Sequence, residues 1–241
     1  MSESMAETTQ RIHHRVSWES LTNSQEIVRS SLGGYPILPA GESWPTCTEA
    51  ECKQKLSLFF QFDVASGFGL SFEPGSSLSV FQCLQHDDPF EDLDTKFPAK
   101  PHDRLPDNYW QHTNYAILFS SPSKQRQLEE REPFLTYSRL VFTPEPEPAE
   151  NSREALNYRN IKIGGSPFWI QQPKIWNCSC GSEMEFVCSL PENLQYPRIE
   201  GSPKQPNGWA GSYFLFLGLW TYIFACKDRC DPRAVVAVRQ N

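Results

Sequence analysis

At 241 residues and 27.6 kDa, with 39% hydrophobic and 13% aromatic residues, the chain can fill a core as one large domain or two small ones. A formal charge of -7 and a pI near 5.3 argue against the clustered Lys and Arg that DNA or RNA binding requires, so no nucleic-acid partner is expected. With 20 Pro and 13 Gly scattered along it, the chain leaves little room for long helices and suits short strands joined by turns. A mainly β (α+β) fold with a few short helices is therefore expected.

In chain order, residues 1–31 read as an N-terminal segment that places His13 and His14 in loose chain. Its opening, MSESMAETTQRIHH, lacks the apolar core of a secretory signal, so a cytoplasmic, reducing location is expected, where cysteines bind metal more often than they form disulfides. Residues 32–143 form the first unit, with strands expected at 56–62 and 114–120 and a short helix at 123–132. Residues 144–150, Pro144-Glu145-Pro146-Glu147-Pro148-Ala149-Glu150, read as an extended connector, because alternating prolines block helix and ladder alike. Residues 151–241 form the second unit, with a helix expected at 151–160 and strands at 212–217 and 234–238. The apolar run 213–226 is divided by Gly218 and is too short to span a bilayer, so no membrane partner is expected.

The two units carry the same signals in the same order. Gly33-Gly34-Tyr35-Pro36, Trp44, Cys47 and Cys52 precede one apolar run; Gly164-Gly165-Ser166-Pro167, Trp176, Cys178 and Cys180 precede the other. Gly34 to Gly165 and Cys47 to Cys178 are both offsets of 131, and Trp44 to Trp176 is 132. Later, Val80-Phe81-Gln82-Cys83 with Asp88-Pro89 matches Ile223-Phe224-Ala225-Cys226 with Asp231-Pro232 at an offset of 143. An internal duplication follows, with two pseudo-equivalent halves packed as one unit and an insertion at 191–211 in the second. The Gly-Gly pairs read as turns needing positive φ or close backbone approach.

Structural zinc takes four thiolate or imidazole ligands, commonly presented in pairs by tight turns. The first unit supplies Cys47 and Cys52 with Cys83 and His86; the second supplies Cys178 and Cys180 with Cys226 and Cys230. Two structural zinc ions are thus expected, each in a closed site. C-x-C and C-x4-C are less usual spacings than C-x2-C, and disulfides or inert buried thiols are the competing readings. Cys188 is left over in an apolar run.

No nucleophile elbow, zinc-protease helix, phosphate loop or dinucleotide fingerprint occurs, and the chain is not expected to be an enzyme. Cys83 with His86 as nucleophile and base is explained better by the repeat. Asp63 reads as a strand-end turn residue. The acidic run Asp87-Asp88 with Glu91, Asp92 and Asp94 reads as a solvated face or as a surface for a basic partner.

Three stretches, Gly164-Gly165-Ser166-Pro167-Phe168-Trp169-Ile170-Gln171, Cys180-Gly181-Ser182-Glu183-Met184-Glu185-Phe186 and Tyr222-Ile223-Phe224-Ala225-Cys226, resemble the YwqG-like bacterial family of unknown function. Gly33-Gly34-Tyr35-Pro36-Ile37-Leu38-Pro39, Trp44-Pro45 and Phe60-Gln61-Phe62-Asp63-Val64 are similar to its opening signature. The pattern is also distantly similar to programmed-cell-death-2-like proteins. The chain departs from many members at Cys178-x-Cys180, where they have C-x2-C, and at Cys188, where they have Gln. The resemblance implies a β-rich duplicated fold and a protein-interaction role, in some members within toxin-immunity systems. A non-catalytic immunity-type inhibitor that neutralises a basic toxin by direct binding is therefore the expected function, with a zinc-structured adaptor or chaperone-like protein as the alternative. A hydrolase or transferase using a pocket between the halves is a third reading. The non-repeated loops at 84–115 and 191–211 are the expected contact surface, through Asp87, Asp88, Tyr109, Trp110, Tyr196 and Trp209.

Overall fold

The computed structural model describes residues 11–21, 26–88, 98, 100–149, 152–209 and 211–241. Its strands in chain order are β1 (Ile12–Ser20), β2 (Ser31–Leu32), β3 (Ile37–Pro39), β4 (Ser57–Asp63), β5 (Ser77–Gln82), β6 (Tyr115–Ser120), β7 (Gln125–Gln127) and β8 (Ser138–Pro146). They continue as β9 (Ile161–Ile163), β10 (Met184–Leu190), β11 (Gln195–Pro197), β12 (Ser212–Phe214), β13 (Trp220–Cys226) and β14 (Val235–Gln240), with a one-turn helix α1 (Arg153–Leu156) before β9.

Ten strands make one antiparallel sheet in the order β14-β13-β10-β9-β1-β8-β2-β4-β5-β6, and β3–β7 and β11–β12 form two small ribbons. The sheet curls until its end strands meet. Phe119 N donates to Pro232 O at 2.7 Å, and Arg239 Nη2 donates to Tyr115 Oη at 2.7 Å, so the barrel is nearly closed. At its middle β1 pairs with β8 and also with β9, while β8 pairs with β2. β1 thus joins the β9 side of the sheet to its β8 side.

Strand alternation looks irregular in the sequence because two strands carry bulges. The register of β4 slips between Leu58 and Phe60, and that of β10 slips between Phe186 and Cys188. An extra residue reverses the faces beyond it. Leu58 therefore packs with Phe81, Cys83 and Leu118, whereas Phe60 and Phe62 pack with Leu78, Val80 and Ile117 in the main core. Likewise Phe186 packs with Phe224 and Cys226, whereas Cys188 and Leu190 join Ile223 and Ala237 in the main core. The main core is continuous across both halves, and each half adds a smaller cluster on the opposite face.

The Gly-Gly pairs serve these bulges. Gly33 N donates to Phe59 O at 3.2 Å and Gly164 N to Val187 O at 3.0 Å, binding the bulge carbonyl in each case. Gly33, Gly34, Gly164 and Gly165 all have positive φ.

Several expectations are corrected. Residues 12–20 are a central strand paired with β8 and β9, and it buries His13 against Tyr158 and Phe168 and His14 against Phe68. The connector begins later than expected, since β8 continues through Pro144 to Pro146 opposite His14 and Ile12. Leu140 N points to Ser30 O on the β2 side and Glu147 N points to Arg11 O on the β1 side. The prolines share the parity of Leu140, so their missing N–H groups fall on the side past the end of β2, where no ladder bond is lost. The helix expected at 123–132 is a 3-10 turn (Pro122–Lys124) followed by β7, whose neighbours Leu128 and Glu132 donate backbone N–H groups to Pro36 O and Gly34 O. The helix expected at 151–160 shortens to α1, and the strand expected at 212–217 ends at Phe214 before a 3-10 turn (Phe216–Gly218).

Candidate metal centres

The smaller clusters each carry a group of four potential ligands. Cys83 follows β5 directly and Cys226 ends β13, so the ladder fixes one ligand of each group while tight turns bring the rest. In the first group Cys47 N donates to Gln54 O and Cys52 N to Glu49 O, closing the turn between the two cysteines. In the second, Gly181 N donates to Cys178 O and Arg229 N to Cys226 O.

The donor atoms of Cys47, Cys52, Cys83 and His86 lie within 4.8 Å of one another, as do those of Cys178, Cys180, Cys226 and Cys230, and each group could hold a metal ion. Cys47 Sγ is 3.5 Å and Cys83 Sγ 3.7 Å from His86 Nδ1, and Cys52 Sγ is 3.9 Å from Cys83 Sγ. Cys178 Sγ lies 3.5 Å from Cys230 Sγ, and Cys180 Sγ 3.6 Å from Cys226 Sγ. Four ligands around a tetrahedral ion with Zn–S near 2.3 Å and Zn–N near 2.05 Å stand roughly 3.8 Å apart between sulfurs and roughly 3.6 Å between sulfur and nitrogen. The donor edges thus match a tetrahedron and far exceed the ~2 Å of a disulfide. All eight cysteines are free thiols in the structure, and seven of them gather in the two groups; Cys188 is an isolated thiol, buried in the main core.

Burial and the neighbouring Cys83 push the Cys47 thiol up to about 12, so without a cation that sulfur is a neutral thiol. Burial also opposes a thiolate at Cys178, but the Cys180 backbone N–H and the Tyr109 hydroxyl together draw its pKa below the usual thiol value. A bound cation would favour the thiolate at every sulfur in both groups.

The two loops expected to meet a partner pack within the molecule, each against the other part of the chain. From the first half, Leu105 N donates to Asn177 O at 2.8 Å, Asn177 N to Asp103 O at 3.0 Å, and Tyr109 Oη sits 3.6 Å from Cys178 Sγ. From the second half, Asn207 N and Nδ2 reach the Asp87 carboxylate at 3.0 and 2.8 Å, and Tyr196 packs edge-on to Phe59. Of the six residues expected to meet a partner, Tyr109, Tyr196 and Asp87 are therefore buried and committed inside the fold, which corrects their assignment to a contact surface. Asp88 is exposed, Trp110 half-buried, and Trp209 60% exposed. Glu91, Asp92 and Asp94 lie outside the described residues. The Asp63 carboxylate is engaged by Arg29 and Ser77.

A cleft of about 510 Å³ opens beside the seam between β6 and Arg233. Trp44, Trp110, His112 and Tyr115 line it with Glu42 and Arg233, which form an ion pair. Sequence reasoning used Trp44 as a repeat marker and missed the cleft, because its walls come from residues 42–48, 110–118 and 233, which only closure of the sheet brings together. Among the described residues no helix is long and apolar enough to cross a membrane.

No family model matches the chain, and no curated protein matches it.

Proposed function

We propose that the protein is a zinc-structured, non-catalytic binder of another protein. The observation that carries this reading is the pair of four-donor groups, together with an aromatic cleft elsewhere on the surface. Three thiolates with one imidazole, and four thiolates, are donor sets that suit zinc. Cys47, Cys52, Cys83 and His86 would hold one ion and Cys178, Cys180, Cys226 and Cys230 the other. An ion bound by four side chains offers no position to a substrate, so its contribution is to folding.

The reading includes an internal duplication. It is supported by four strands on each side of the β1–β8 pair, by a bulge in β4 and in β10, and by Gly-Gly turns that bind both bulge carbonyls. Kinship with the YwqG-like family is proposed on the same motifs. The charge of -7 supports a basic partner, and an immunity-type inhibitor that blocks a basic toxin is the form proposed. The cleft with Trp110, and the exposed Asp88 and Trp209, supply the contact surface.

The test is purification from the native host without chelator, followed by metal analysis and identification of what co-purifies. About two equivalents of zinc are expected, together with a basic protein whose toxicity this chain suppresses. Trp110→Ala should weaken that complex by about tenfold or more, beyond the modest loss of melting temperature that follows from its packing on Tyr109. Housekeeping proteins in place of a toxin would replace the immunity form by an adaptor. Absence of metal would overturn the zinc assignment, and a complex indifferent to Trp110→Ala would remove the cleft from the contact surface.

A further inference from the structure

The two metal-ligand groups differ in a way that bears on oxidation. In the group at Cys178, Cys180, Cys226 and Cys230, two sulfurs belong to exposed residues, Cys180 and Cys230, and two to buried ones, Cys178 and Cys226. The short sulfur contacts join one of each kind: exposed Cys230 to buried Cys178 at 3.5 Å, and exposed Cys180 to buried Cys226 at 3.6 Å. Each thiolate that an oxidant can reach therefore has a second sulfur beside it, ready to resolve the oxidised form. The other group has three sulfurs and an imidazole, with Cys47 and Cys83 buried and Cys52 half-buried. One disulfide there would leave a third thiol and His86 behind.

We propose that the Cys178–Cys180–Cys226–Cys230 group is an oxidative modification site that closes into two disulfides and releases its ion, while the first group keeps its own. This rests on the zinc reading, which supplies both the ion released and the thiolate state of the attacking sulfurs. The co-reactant is a hydroperoxide. The thiolate of Cys230 attacks the peroxide oxygen, breaking the O–O bond to give a sulfenic acid and hydroxide. Cys178 thiolate then attacks that sulfur, forming the S–S bond and expelling a second hydroxide. Cys180 and Cys226 repeat the sequence with a second peroxide. Each peroxide accepts two electrons, each sulfur pair loses two, and the ion departs with its charge unchanged because no thiolate remains to hold it. Leu105 and Tyr109 pack on Cys178 and Cys226, so the oxidised form loses the anchor of the segment 100–110.

The experiment uses the wild-type full chain, freshly reduced, with its metal counted, and then titrated with hydrogen peroxide. Three readouts are taken: remaining thiols with linkages mapped by peptide mass spectrometry, metal captured by a chromogenic chelator, and amide exchange. The expected result is loss of four of the eight thiols, with linkages confined to Cys178, Cys180, Cys226 and Cys230. Half of the bound metal should be released, exchange over 100–110 should quicken, and a dithiol should reverse all three. Oxidation that begins at Cys47, Cys52, Cys83 or Cys188 would overturn the proposal, as would sulfinic acids without disulfides or release of both ions together. A preparation found free of metal overturns the zinc reading itself, whereas metal-loaded protein whose thiols are lost elsewhere overturns this proposal alone.

Discussion

Buried ionisable side chains near the centre of the sheet show how individual residues constrain this fold. Lys162 is fully buried, yet its ammonium donates to Glu147 Oε1 at 2.9 Å and to Gly164 O at 3.0 Å and lies 4.2 Å from the Phe168 ring. Burial lowers its pKa to about 8, against the raising effect of Glu147. His13, 1% exposed on β1, sits 3.2 Å from the Tyr158 hydroxyl and 3.6 Å from Glu145. Burial, helped by the charge of Lys162, lowers its pKa to about 4, while Glu145 and Glu147 act in the opposite direction and His14 adds to the lowering. The folded state thus holds His13 neutral where the unfolded chain would protonate it at its ordinary value near 6.5. Its stability contribution is complete above about pH 6.5 and is lost as the pH falls toward 4, by on the order of 3 kcal/mol. Urea denaturation should therefore show a steeper loss between pH 7 and 5 in the wild type than in His13→Phe. Parallel profiles would mean that acid sensitivity arises elsewhere. Neither imidazole was legible as a core residue, because two adjacent histidines in a polar N-terminal stretch carry no apolar pattern; only pairing with β8 and β9 buries them.

At the level of elements, the bulges in β4 and β10 explain both what could be read and what could not. The strand at 56–62 was visible as an aromatic run, but its faces were not, since one inserted residue at Phe59 breaks the period. Glu132 serves the same irregularity: its Oε2 accepts from Leu58 N at 2.9 Å and its Oε1 from Phe134 N at 3.0 Å, in a site where burial raises its pKa to about 7. No short-range pattern announces a carboxylate that completes a strand 74 residues away. The Gly-Gly turns, by contrast, were legible as positive-φ positions, and the structure adds what they approach. A Cβ on Gly164, at φ +70, would stand 2.0 Å from the Phe68 carbonyl oxygen, and one on Gly34 would stand 2.2 Å from the Tyr137 ring. A ring can turn aside more easily than a backbone carbonyl. Gly164→Ala should therefore destabilise the fold by on the order of 3 kcal/mol or more, and more than Gly34→Ala, in chemical denaturation. Equal losses would mean that positive φ alone, common to both sites, sets the cost.

Across the whole molecule, the two groups of four candidate ligands could be read from spacing and repetition, because side chains close in sequence are also close in space. The crossing of the chain between the two sides of the sheet could not, since it depends on β1 pairing with both β8 and β9 and on long loops. That crossing makes a testable link between one metal group and the distant half. The knuckle holding Cys83 and His86 continues into Asp87, whose carboxylate receives both Asn207 N and Asn207 Nδ2. Asn207 lies between β11 and β12, flanked by Gln205, whose Oε1 accepts from Phe214 N at 2.7 Å, and the exposed Trp209. Removing one ligand with Cys83→Ser should empty the first group and release the knuckle, so amide exchange should rise at 45–54 and 83–88 and also at 205–209. The second group, anchored through Tyr109 and the β10–β13 ladder, should retain one equivalent of metal, as expected for an independent four-ligand site. Hydrogen exchange with metal analysis on the same variant checks both parts. If protection at 205–209 were unchanged, the Asp87–Asn207 contact would carry no coupling, and the two halves would be joined through the main core alone.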